Sequence, residues 1–156
     1  KASGKPMAVI LHNLVGLLHA TMAIYYAYID RAPIFIMGAT GPMDAARRRP
    51  RTDWIHTANV QGNAIRDYVK WDDQPASPEA AVESVLRANQ IARTLPYGPV
   101  YVCLDVGLQE DEVKRPVQVP PAHRYAPPAP PARRCPPRAS RGGAPARVRR
   151  TSSRRP

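Results

Sequence analysis

The sequence predicts an α/β protein organised on a parallel sheet. Two short apolar runs with β-branched residues, Met7 to Leu11 and Pro33 to Met37, read as strands. Between them lie about twenty residues with helical apolar spacing. A second strand–helix–strand series follows before the composition changes. Strand and helix in alternation imply parallel pairing, and ligands collect at the carboxyl ends of such strands. Here those ends are His12-Asn13 and Gly38 to Gly41.

Each element has its own signal. Gly4-Lys5-Pro6 is a turn before the first strand. Asn13 is placed to cap the following helix by accepting from an early N–H. Leu14, Leu17, Leu18, Thr21, Ile24, Tyr25 and Tyr28 recur at spacings of three and four. Ala20, Ala23 and Ala27 fill the other face, so this helix is expected to be buried nearly all round. Asp30 to Pro33 ends it. Pro42 to Pro50 is loop, and its Arg47-Arg48-Arg49 run reads as a solvated face. Asp53 is placed to cap a short helix through Trp54, Ile55 and His56, and His56 and Trp54 read as packing or interface residues. Arg66 to Trp71 reads as a third strand and Asp72 to Pro78 as a turn. Ser77, with Pro78 behind it, starts a helix that ends near Leu95, its apolar side including Ala81, Val85, Leu86, Ile91 and Ala92. Val100 to Leu104 is the last strand, with Asp105 at its carboxyl end.

The net charge of +11 points to nucleic acid or an anionic surface only if it is spread over the fold. It is not. Residues 1–113 hold 11 Lys and Arg against 12 Asp and Glu, whereas residues 114–156 hold 12 basic residues, no acid and 11 of the 19 prolines. The chain therefore divides into a near-neutral domain (1–113), a Pro-rich extended linker (114–132) and a basic tail (133–156) expected to be disordered. Of the 24 tail residues, 18 are Pro, Ala, Arg or Gly, the composition expected of GC-rich codons read out of frame. Residues 114–156 offer no interleaved aromatics beyond Tyr125 for base stacking. Met7 to Ile29 is uncharged and long enough to span a bilayer, but His12, Asn13, Gly16, His19 and Thr21 oppose that reading. Two cysteines, Cys103 and Cys135, make no disulfide framework and fit a reduced, cytoplasmic setting. No metal-ligand spacing appears among Cys and His.

Several motifs, in order, resemble one family. They are Ala2-Ser3-Gly4-Lys5-Pro6 before the first strand, Leu11-His12-Asn13 with Gly16 after it, and Ala32-Pro33-Ile34 opening the second. Arg66 to Lys70 before Trp71, and Gly98-Pro99-Val100-Tyr101-Val102, complete the series. The region 1–131 resembles the N-terminal, pyrimidine-binding domain of thiamine diphosphate-dependent enzymes such as acetolactate synthase, pyruvate oxidase and benzoylformate decarboxylase.

The resemblance implies a three-layer α/β/α domain that binds the aminopyrimidine ring. A separate domain, absent here, holds the diphosphate and Mg2+, and the cofactor lies at an interface of a homodimer or tetramer. It implies a 2-keto acid substrate, decarboxylase or carboligase chemistry, and a cofactor that holds the carbanion left after loss of carbon dioxide. It also implies that the chain is a truncated fragment, inactive alone, since the activating glutamate belongs on a strand before Ala2. His12 matches a histidine beside the substrate and takes the catalytic, proton-transfer role. Asn13 and Gly16 match the loop against which the pyrimidine packs. His19, the third cofactor-side candidate, falls where many members carry asparagine, and Thr40 falls near a glutamine of many relatives. A basic-tailed nucleic-acid-binding protein and a single-span membrane protein are the rival readings.

Overall fold

The computed structural model describes residues 5–129. Ala2 to Gly4, Cys135 and the basic tail lie outside them. Four strands form one parallel sheet: β1 (Met7–Ile10), β2 (Ile34–Thr40), β3 (Asp72–Asp73) and β4 (Val100–Asp105), in the order β1-β2-β4-β3. The helices are α1 (Asn13–Ile29), α2 (Thr52–His56), α3 (Pro78–Arg93) and α4 (Val106–Glu110).

Alternation along the strands builds two apolar layers. Ile36, Tyr101 and Cys103 point to the side where Leu17 and Ile24 of α1 pack, joined by Ile65 and Val69. Val100 and Val102 point to the other side, against Ala88 and Ala92 of α3. Helices on both faces of a parallel sheet make the expected α/β/α arrangement.

Several local expectations need correction. Asn13 does not cap α1. It is the first residue of that helix with φ 42°, and His12 occupies the cap position without a side-chain bond. Helix α1 buries only Leu17, Ile24 and Ala27, while Val15, Leu18, Met22, Tyr26 and Ile29 are exposed. One sheet covers one side of a helix, so an all-round apolar helix keeps an open face here. The stretch from Met7 to Ile29 is strand, turn and helix rather than one span, and among the described residues no helix is long and apolar enough to cross a membrane.

The third strand lies later than expected. Residues Arg66–Tyr68 form a 3-10 turn. Pairing with β4 begins where Lys70 N–H donates to Pro99 O (2.8 Å) and Tyr101 N–H to Trp71 O (3.0 Å). Asp72 and Asp73 are therefore strand, not turn. Their charges are met by Arg66, which donates twice to Asp72 (2.9 and 2.7 Å), and by the Ser84 hydroxyl on Asp73. Charged residues suit a short edge strand.

Ser77 caps α3 as expected, accepting from Ala80 N–H at 3.1 Å with Pro78 first in the helix. The buried stripe is Ser84, Ala88 and Ala92 rather than one that includes Val85, which is exposed. Small residues four apart let the helix lie close on β4. Lys70 closes its carboxyl end, with Nζ donating to Ile91 O (2.5 Å) and Thr94 O (2.7 Å). Burial lowers the Lys70 pKa. Beyond α4 the chain crosses α3, where Gln90 donates to Ala126 O at 3.0 Å.

Candidate functional site

The carboxyl ends of β1 and β2 open into a cleft of about 380 Å³. Ile10, Leu11, Ala39 and Val106 give it apolar walls, and His12, Thr40, Arg49, Asp53, His56 and Gln109 give it polar groups. This size and mixture suit a small organic ligand.

His12 reaches the cleft because β1 ends at Ile10 and Leu11 N–H still bonds to Met37 O (2.8 Å), holding the exit rigid. Its exposed ring meets that of His56 edge-on, with centroids 5.5 Å apart and planes at 90°. His56 is the last residue of α2, and its Nδ1 lies 2.7 Å from Thr52 O. A carbonyl oxygen only accepts, so Nδ1 carries the hydrogen and Nε2 of the neutral ring is the acceptor.

Asn13 ties this pair to the sheet. With its amide nitrogen facing the two carbonyls, it donates to Ala39 O (2.6 Å) and to His56 O (2.9 Å). A left-handed φ is tolerated by asparagine better than by most residues. Ala39 O also accepts from Gln61 Nε2 (2.9 Å), and Gln61 Oε1 accepts from the Tyr101 hydroxyl (3.1 Å). Gln61 and Tyr101 are fully buried, so this chain of bonds fixes the end of β2 from below. Gly38 is required over Tyr101, since a Cβ there would collide with the hydroxyl.

The other wall depends on Asp53, 2% exposed. Its carboxylate accepts from Arg49 N–H at 2.6 Å and from the Arg49 guanidinium at 3.3 and 3.4 Å. The Arg49 backbone N–H, then its guanidinium, hold the Asp53 carboxyl below the usual carboxylate range. Asp53 does not cap the short helix as expected but is its second residue, since α2 starts at Thr52 after Arg51 at φ 69°. The arginine run is not simply solvated. Arg47 pairs with Asp111 (2.8 and 2.5 Å), Arg48 donates to Pro42 O (3.1 Å), and Arg49 also reaches Glu110 (3.3 Å). Asp105 accepts from Met43 N–H and Gly107 N–H, both at 2.6 Å, and so docks α4 beside the cleft.

The structure thus brings His12 and Asn13 together at the cleft. Gly16 and His19 stand outside its lining. Gly16 packs against Leu11, where a Cβ would lie 3.4 Å from the Leu11 carbonyl carbon. His19 is exposed on α1 and its Nδ1 bonds to Val15 O at 3.0 Å. Sequence reasoning missed His56, Arg49, Asp53 and Gln61 as parts of the site. Their signal is tertiary, because they come from the loops and short helix between β2 and β3, too short for a periodic pattern to mark a face. Cys103 is buried, and burial pushes its thiol upward, away from nucleophilic use. Among the described residues no group of three His, Cys, Asp or Glu is placed to hold a metal ion.

No family model matches the chain. Solved structures do share its fold. A protein from Mycobacterium smegmatis described as a thiamin diphosphate-dependent enzyme aligns with TM-score 0.65 and 23% identity, over 77% of this chain and 22% of that one. Benzoylformate decarboxylase from Polynucleobacter necessarius aligns with TM-score 0.63 and 27% identity, over 75% of this chain and 21% of its own. A thiamine diphosphate-dependent 4-hydroxybenzoylformate decarboxylase from Rhodococcus jostii RHA1 aligns with TM-score 0.58 and 20% identity, over 73% and 23%. The chain spans little more than a fifth of the length of these proteins.

Proposed function

We propose that this chain, which has the fold of a portion of thiamine diphosphate-dependent enzymes, supplies the pyrimidine side of such an enzyme's cofactor site. The complete enzyme would act on a 2-keto acid, as a decarboxylase or as an acetolactate synthase-like carboligase, in a cytoplasmic homodimer or tetramer. The observation that carries this reading is the cleft at the carboxyl ends of β1 and β2 with His12 at its rim. The 27% identity to a benzoylformate decarboxylase supports the decarboxylase side.

The residues present fit a flat heteroaromatic ring. Apolar Ile10, Leu11, Ala39 and Val106 offer its faces contact, and polar groups stand at the rim. When bound, thiamine diphosphate supplies an electron sink for the carbanion formed on decarboxylation. His12, exposed on the rim, donates a proton to the reacting carbon or removes one from it. Asn13, fixed to Ala39 and His56, keeps the strand-to-helix turn beneath it from shifting.

The diphosphate and Mg2+ need a further domain, so the isolated chain is expected to bind cofactor weakly and to turn nothing over. Calorimetric titration of the 156-residue chain with thiamine diphosphate and magnesium tests this. Affinity in the micromolar range would show that the site does not need further parts.

A further inference from the structure

We propose that His56 is a second ligand-facing imidazole of this cleft, meeting the same bound group as His12, and that Asn13 is the residue that positions it. The assignment depends on the cleft being a thiamine diphosphate site and adds to it a residue that neither the fold nor the motif order marks.

Three observations converge. His56 and His12 come from different elements, yet their rings meet edge-on at 5.5 Å and both line the cleft. The bond from Nδ1 to Thr52 O spends one nitrogen of His56 on its own helix and leaves Nε2 as the free acceptor. A fixed tautomer leaves one ring nitrogen able to accept from a ligand that enters the cleft. Finally, α2 is only five residues long and cannot hold a ring in place by itself. The Asn13 amide does so, by donating to the carbonyl of His56 and to Ala39 at the end of β2. Gly41 N–H reaches the same His56 carbonyl at 3.4 Å.

The charged surroundings are compatible. From α2, Asp53 lies one turn before His56 and is ionised against Arg49. From the preceding loop, Arg49 is shared between Asp53 and Glu110. From α4 the lining residues are Val106 and Gln109, and from β2 and its end Ala39, Thr40 and Gly41, none of them charged. His12 is the titratable group that touches the ring. His56 therefore faces an accessible cavity rather than a dedicated ion-pair partner, as a ligand-facing group requires.

His19 is a built-in control. Its Nδ1 is bonded to Val15 O, the same turn-back arrangement, but on the outward side of α1 and away from the cleft. Diethyl pyrocarbonate modifies the unprotonated nitrogen of imidazole, and mass spectrometry reads each of the four histidines separately. The full chain is treated with and without thiamine diphosphate and magnesium raised to tens of millimolar, above the weak affinity expected of it, with inorganic pyrophosphate as a second control. The expected result is a several-fold slowing at His12 and His56 together, by thiamine diphosphate and not by pyrophosphate, with His19 unchanged. Slowing at His12 alone overturns the assignment of His56 and leaves the cofactor-site reading intact. Slowing at neither overturns both. Asn13→Gly keeps the left-handed backbone but removes the amide, and Asn13→Asp keeps the shape but cannot donate. In both, protection at His56 should fall further than protection at His12. Protection of His56 that survives in either variant removes Asn13 from the positioning role.

Discussion

His12 was legible in the sequence because its place, one residue beyond an apolar β-branched run, is a strand exit whatever the neighbours do. If the proposed function holds, its use is testable in a longer enzyme that carries this chain. His12→Ala is expected to slow single turnover by about 10²–10⁴, the usual contribution of a positioned acid or base. Cofactor affinity should hardly change, because Leu11 and Asn13 still tie the turn to Met37 and Ala39. A histidine serving only the fold would show the reverse, a lower melting temperature with a normal rate per occupied site. Asn13 teaches the opposite lesson. Its type and position suit a helix cap, and only the tertiary structure shows its amide spent on two distant carbonyls. His56 is harder still, since the partner that gives it meaning is far away in sequence.

Helix α2 is too short for intrinsic stability and rests on side-chain bonds that have a pH limit. Asp53 accepts from the Arg49 N–H and guanidinium, and its own carbonyl accepts from the Thr57 hydroxyl at 2.5 Å. Its folded pKa is lowered, so its stabilising contribution is complete above the unfolded value of about 4 and is lost as pH falls through the lower folded value. Hydrogen exchange of residues 52–57, corrected for intrinsic rates, is therefore expected to accelerate in acid before that of β4. In Asp53→Asn this acid dependence should disappear. If the unmodified chain and the variant share one acid profile, the carboxylate is not what secures the helix. Protonation of Asp111, whose pKa the Arg47 hydrogen bond holds low, weakens the docking of α4 in acid in the same way. Strands β1, β2 and β4 were legible from their apolar β-branched runs, helix α1 from its apolar period and helix α3 from its period and the Ser77-Pro78 start. Helix α2 was legible only as a short helix of uncertain start. Strand β3 was not, because two adjacent aspartates look like a turn until Arg66 and Ser84 are seen to meet them and β4 to pair with them.

At the scale of the molecule, one face remains unmatched. Val15, Leu18, Met22, Tyr26 and Ile29 stand exposed along α1, and β1 is an edge strand whose Ile10 is 76% exposed. Apolar area of this kind, beside a free strand edge, favours association. Sedimentation of the full chain is expected to show concentration-dependent self-association, and Leu18→Glu combined with Met22→Lys to reduce it. Unchanged sedimentation in that double variant would place the contact elsewhere. The crossing of α3 by the segment after α4 has a consequence for how the unit sits in a longer polypeptide. Pro127, Pro128 and Ala129 line one groove with Pro6 and Pro33, which precede β1 and β2. Positions 6 and 127–129 thus meet at the amino-end pole of the sheet, and the cleft opens at the other. A segment cut where two such positions lie side by side can be spliced into a host loop through short connectors. Splicing at Pro6 and Ala129 would leave the His12 pole facing outward, free to meet whatever the host presents.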